Sequence, residues 1–394
     1  MSLTDTPSAE RVHIAFFGKR NAGKSSLVNA VTGQELSIVS EVLGTTTDPV
    51  KKAMELLPLG PCVIIDTPGF DDEGLLGEKR IVKTKAILAK TDIAVLAVDS
   101  NIGLSYEDKQ FTELLRERKI PYIVAYTKSD ICKREFETKE NEIKTSSQNK
   151  SGIFELKEKL AHILKGVKPD KFILNDIVKR DDIVVLVTPI DSAAPKGRLI
   201  LPQQQTLREI LDLNAVAVTC QTDELQSALS CLAKKPRIVI TDSQDFERVA
   251  EITPEDIPLT SFSLLFARYK GTLDALISGV HAIDALKPDD KILISEGCTH
   301  HRQCEDIGTV KIPKWIEEYT GVKPDFRFTS GTEFPDDLSE FAVVIHCGGC
   351  MLNEKEMQSR IRFAEKSGVP IINYGALIAK IHGIFDRAVQ PLVQ

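Results

Sequence analysis

An apolar run, Val12-His13-Ile14-Ala15-Phe16-Phe17, feeds directly into Gly18-Lys19-Arg20-Asn21-Ala22-Gly23-Lys24-Ser25, and no other stretch restricts the fold so tightly. The spacing is that of a P-loop. A strand must end where the loop turns back, and a helix must begin near Lys24, so that backbone N–H groups at the helix start can cradle a phosphate. Leu27 to Val31 continue the pattern as that helix. Gly18, Asn21, Ala22, Gly23, Lys24, Ser25 and Ser26 then surround the phosphates, with Lys24 reaching the β- and γ-phosphates and Ser25 ligating Mg²⁺. A strand, loop and helix of this kind call for a mostly parallel α/β sheet with the nucleotide at its carboxyl edge.

The next motifs arrive in the order a GTPase requires. Gly44-Thr45-Thr46-Thr47-Asp48 reads as a first switch, with Thr46 completing the Mg²⁺ shell and sensing the γ-phosphate. The apolar run Val63-Ile64-Ile65 leads into Asp66-Thr67-Pro68-Gly69, where Asp66 holds Mg²⁺ through water and the N–H of Gly69 meets the γ-phosphate. Two further apolar runs, Ile93 to Val98 and Tyr122 to Tyr126, precede Thr127-Lys128-Ser129-Asp130. The Asp130 carboxylate can accept two hydrogen bonds from guanine, which adenine cannot supply; Thr127 stands where this motif usually has Asn. Ser146 and Ser147, in Thr145-Ser146-Ser147-Gln148, match the loop that closes over the base, and a helix follows from Gly152. Lys24, Thr46 and Gly69 are the expected catalytic groups.

A chain of 394 residues exceeds what one core serves, and three domains are expected: a GTPase domain over 1–168, a second over 169–262 and a third over 263–394. The stretch Gly166-Val167-Lys168-Pro169-Asp170 reads as the first hinge. A net charge of −7 argues against a protein built to grip nucleic-acid backbones. There is no run long enough to span a membrane and no basic, apolar leader at the N-terminus, so the cytoplasm is the expected compartment. Eight cysteines are too few for a disulfide scaffold, and Cys62, Cys132, Cys220 and Cys231 read as small buried hydrophobes.

Between residues 183 and 242, three short apolar runs alternate with two helical patterns, which implies a second, smaller parallel α/β unit. It carries no catalytic motif, and a small sheet with a free edge suits dimerisation. The third unit is α/β again and holds the remaining cysteines. Lys291-Ile292-Leu293-Ile294 runs toward Cys298-Thr299-His300, and Phe341 to Ile345 runs into His346-Cys347-Gly348-Gly349-Cys350. Parallel strands end along one edge, so the two segments can converge as a metal site. The spacing suits zinc or an iron–sulfur cluster. Small residues between the cysteines, and a large domain with little need of structural zinc, favour the cluster. Cys298, Cys347 and Cys350 are the expected ligands, with His300, His346 or Glu305 as a fourth ligand or a group that supports the ligands from behind, and Cys304 peripheral.

Residues 12–166 resemble the translation-factor-related GTPases that include bacterial tRNA-modification and ribosome-assembly members. In those relatives an asparagine at the place of Asn21 is associated with K⁺ beside the phosphates. Phe70 resembles the apolar residue that a subset of them carries where Ras-like proteins have a catalytic glutamine. The resemblance implies slow, K⁺-stimulated hydrolysis. Taken with Cys298-x-His300…His346-Cys347-Gly-Gly-Cys350, the chain is similar along its whole length to the GTPase maturation factors of [FeFe] hydrogenase, the HydF family. That resemblance implies a homodimeric scaffold holding a [4Fe-4S] cluster on three cysteines. It also implies a diiron precursor as cargo, built with radical-SAM maturases and passed to apo-hydrogenase. The competing readings are a tRNA-modification or ribosome-assembly GTPase and a GTPase partner switch with structural zinc.

Overall fold

The computed structural model describes residues 10–34, 50–69, 84, 86–167, 172–189, 199–297, 307–331, 333–349 and 352–393, which form two compact units divided at residues 170 and 171. The first is built on a six-stranded sheet in the order β2-β3-β1-β4-β5-β6, with strands β1 (Val12–Gly18), β2 (Val50–Leu56), β3 (Gly60–Asp66), β4 (Ile93–Asp99), β5 (Tyr122–Thr127) and β6 (Glu142–Lys144). Only β2 is antiparallel, paired with β3. Alternation along the strands sends side chains to opposite faces and creates two cores. Ile14, Phe16, Ile64, Val95 and Ile123 pack under the helices Lys24–Thr32 and Ile153–Val167. Ala15, Phe17, Ile65, Leu96 and Val124 pack with Phe111 and Leu115 of the helix Tyr106–Glu117. Both faces of the sheet are thereby covered, as a parallel sheet requires.

The last helix of this unit runs through Gly166 to Val167, into the first two residues of the expected hinge, and ends just inside the expected boundary at 168. A glycine in a final turn costs only about 1 kcal/mol relative to alanine and need not stop a helix.

The second unit contains two four-stranded parallel sheets. One has the order β10-β9-β7-β8, from β7 (Ile183–Val187), β8 (Val216–Cys220), β9 (Ile238–Thr241) and β10 (Leu259–Ser261). The other has the order β12-β11-β13-β14, from β11 (Lys291–Glu296), β12 (Asp325–Ser330), β13 (Phe341–His346) and β14 (Ile371–Asn373). One continuous apolar core joins them, running from Val184–Val187 and Ile238–Ile240 through Leu264 and Leu265 to Ile292–Ile294 and Val343–Ile345. Polar clamps reinforce the joint. Arg387 donates to the carbonyls of Ala250, Thr253, Pro254 and Ile257 at 2.7–3.3 Å, and the Thr260 hydroxyl donates to the Ala388 carbonyl at 2.8 Å. Strand β8 is an outer strand with Val216 exposed.

The thiols divide differently from the expectation. Cys62, within β3, turns into the core, where burial pushes its pKa up to about 11. Cys132 and Cys220 are half-buried, whereas Cys231, just past the end of the short helix Leu225–Ser230, is exposed.

Candidate functional site

At the carboxyl edge of the first sheet, β1 ends at Gly18, where a Cβ would lie 2.7 Å from the Ala97 carbonyl of β4. Asn21 and Gly23 take left-handed backbone, φ 59° and 77°, which Asn and Gly adopt at lower cost than other residues. Lys24 opens the following helix, is buried, and forms an ion pair with Asp66 at the end of β3. The Ser25 hydroxyl donates to the same carboxylate at 3.3 Å. Lys24, Ser25 and Asp66 thus meet where a phosphate and its Mg²⁺ would be held. Thr67 fixes the end of β3 to β1, its hydroxyl donating to the Phe16 carbonyl at 2.7 Å, and Gly69 follows.

The segment 127–130 is tied to this loop. Thr127 is buried and its hydroxyl donates to the Ala22 carbonyl at 2.6 Å, so it supports the P-loop. The Lys128 ammonium donates to the Asn21 carbonyl and to the Asp99 carboxylate, both at 2.8 Å. Against the upward push of burial, that ammonium holds the Asp99 carboxyl below its usual range. Asp130 stands exposed in the next turn. The Ser129 N–H donates to the Thr145 carbonyl at 3.1 Å, which brings the buried Ser146 and the half-buried Ser147 to the same edge. Asp99 was not singled out in the sequence; its signal is its place as the last residue of an apolar strand.

In the second unit, β11 and β13 are neighbours, with Ser295 opposite His346. The bipartite cysteine motif therefore leaves two adjacent strand ends. Cys347 is half-buried, and its sulfur accepts N–H groups from Gly297 at 3.0 Å and Gly349 at 3.3 Å. Such N–H···S contacts suit a thiolate ligand of an iron–sulfur cluster, whose properties hydrogen bonds to sulfur tune. The glycines are required by space as well. A Cβ on Gly297 would lie 2.8 Å from Leu352, and one on Gly349, at φ 59°, would lie 2.6 Å from Met357 Sδ. Lys270, buried, donates to the carbonyls of Gly349 and Leu352 and closes the turn from below.

His346 is fully buried. Its Nδ1 lies 2.8 Å from the Cys347 carbonyl and its Nε2 3.1 Å from Arg360 Nη1. Burial, with the neighbouring Arg360 charge, pushes its pKa down to about 3, so the ring is neutral. Arg360 was missed in the sequence because it sits in a charged helix. Its signal is a Glu356–Arg360 pair flanking the buried stripe Met357, Ile361 and Ala364. Thr46, Phe70, Cys298, His300, Cys304, Glu305 and Cys350 lie outside the described residues, among which no group of three or more His, Cys, Asp or Glu gathers as a metal set.

Residues 13–128 match the family model of a 50S ribosome-binding GTPase. Residues 173–271 match the hydrogen maturase F dimerization domain, and residues 274–391 its tetramerization domain. The chain belongs to the hydrogen maturase F family. Its GTPase part is shared more widely. GTPase Der of Wolinella succinogenes is 36% identical over 181 residues, covering 42% of this chain and 38% of that protein. GTPase Der of Kosmotoga olearia is 32% identical over 127 residues, covering 31% and 28%. The chain therefore spans well under half the length of those curated relatives. Among solved structures, a probable GTP-binding protein engB is 25% identical over 39% of this chain and 100% of its own, with a TM-score of 0.32. The G domain of the T. maritima FeoB iron transporter is 25% identical over 39% and 99%, with a TM-score of 0.30. Among the described residues, no helix is long and apolar enough to cross a membrane.

Proposed function

We propose that this chain is a cytoplasmic, homodimeric, GTP-hydrolysing scaffold for maturation of [FeFe] hydrogenase. It holds a [4Fe-4S] cluster on Cys298, Cys347 and Cys350 and carries a diiron precursor, made with radical-SAM maturases, to the apo-enzyme. The observation that carries this reading is the Cys347 sulfur at the end of β13, receiving two backbone N–H groups beside the strand end that leads to Cys298. A cluster bound there would supply a docking and redox-active iron centre; the chain's own part is to present thiolates from a glycine-lined turn braced by Lys270.

In the GTPase unit, Lys24 and the P-loop amides neutralise phosphate charge, Ser25 and Asp66 with Thr46 hold Mg²⁺, and Gly69 meets the γ-phosphate. Asp130 reads the guanine edge while Thr127 and Lys128 keep the P-loop in place. Asn21 provides the K⁺ ligand, and with Phe70 in place of a glutamine turnover is slow. The exposed outer strand β8 supports pairing with a second copy.

The deciding experiment is anaerobic reconstitution of the full chain with iron, sulfide and competing zinc, followed by metal and sulfide analysis. About four iron and four sulfide per chain, lost in Cys347→Ala, is the expected result. Stoichiometric zinc without sulfide would contradict the reading and leave a structural-zinc GTPase.

A further inference from the structure

The buried guanidinium of Arg360 reaches the ends of three of the four strands in this sheet. From the helix Glu354–Lys366 its Nη1 lies 3.2 Å from the Ser295 hydroxyl on β11 and 3.1 Å from His346 Nε2 on β13. Its Nη2 donates to the Gly331 carbonyl just past β12 at 2.8 Å and to Glu356 at 3.1 Å. The ring of Phe334 lies 5.0 Å away. A planar fork with several fixed donors spread over separate nitrogens can tie three adjacent strands at once, whereas a lysine has its three donors on a single nitrogen.

The contact with His346 has a chemical consequence. Arginine has only donors, so the ring nitrogen facing it must offer a lone pair. Nε2 is then the acceptor, Nδ1 carries the proton, and that proton is donated to the Cys347 carbonyl. Both ring nitrogens are used in bracing the turn. Ser295 serves the same end from the other side, because its carbonyl accepts the Cys347 N–H at 3.1 Å and it lies two residues before Gly297, whose N–H meets the Cys347 sulfur.

We propose that Arg360 is a positioning residue for the metal centre: it locks the ends of β11 and β13 together and holds His346 as the Nδ1–H tautomer bonded to the Cys347 carbonyl, so that His346 orients the cysteine turn and does not ligate metal. The role in metal binding rests on the cluster reading above, but the tautomer does not, and the test separates them. The full-length, metal-free chain is labelled with ¹⁵N-histidine, and His346 is assigned by its loss in His346→Gln. Long-range ¹⁵N–¹H correlation is expected to show one neutral Nδ1–H ring. An Nε2–H ring would overturn the proposal whether or not the chain takes up iron.

The same chain is then reconstituted and its reduced state read by pulsed EPR, with iron release to a chelator timed. The wild type is expected to show no directly bound nitrogen from His346, so that His346→Gln leaves the strong ¹⁴N couplings unchanged. Arg360→Lys and Arg360→Gln are expected to release iron several-fold faster, with GTPase turnover unchanged. A strong ¹⁴N coupling lost in His346→Gln, or iron retention equal to wild type in both folded Arg360 variants, would overturn it. Failure of the wild type to form any cluster would count against the proposed function, while the ¹⁵N result would still decide the tautomer.

Discussion

Thr127 ties its motif to the P-loop through a hydroxyl. In place of the amide usual there, its buried hydroxyl supports the Ala22 carbonyl, within the loop that Lys128 also grips at Asn21. Thr127→Val keeps the shape and leaves the Ala22 carbonyl without this donor, which costs about 1–3 kcal/mol. Thermal unfolding of the GTPase unit should fall accordingly and GTP affinity should drop roughly tenfold; equal affinity in the variant would show that the tether is idle. Asn21 gives a second test. Hydrolysis should be faster in K⁺ than in Na⁺ at equal ionic strength, and Asn21→Ala should abolish the difference; a preference surviving in the variant would assign the ion to another group. The P-loop residues were legible in the sequence because phosphate binding fixes their spacing. Arg360 and Lys270 were not, since a charge becomes informative only when tertiary packing buries it beside a cysteine turn.

At the scale of elements, apolar runs revealed the strands that are buried on both faces, such as β1, β4 and β13. Strand β2 escaped because Lys51, Lys52 and Glu55 leave it exposed, its partners being the backbone groups of β3. The three-residue strands β6 and β10 are too short to show a period. The helix Tyr374–Ile381 follows β14 without a break and is apolar nearly all round, so no face marks it. The glycine turn between β13 and the helix Glu354–Lys366 is where sequence and space agree. Gly349→Ala would need a strained left-handed alanine and a shift of Met357. It should lower the iron retained after reconstitution by half or more while leaving GTP turnover unaltered; full retention would mean the turn can reshape around the added carbon.

For the whole molecule, the proposed function puts hydrolysis and metal binding on different residues, one set in each compact unit, joined only in function. The nucleotide groups Lys24, Ser25, Asp66 and Thr127 all belong to the first unit, and the cysteine motif with its buried Arg360 belongs to the second. Cys298→Ala, Cys347→Ala and Cys350→Ala should therefore lose the cluster and keep GTPase turnover, while Lys24→Ala should do the reverse. The most direct measurement is a coupled maturation assay in which apo-[FeFe]-hydrogenase is incubated with the radical-SAM maturases and each form of this chain. The account predicts active hydrogenase with the wild type and failure with both Lys24→Ala and Cys347→Ala; full activation by the Cys347→Ala chain would contradict it.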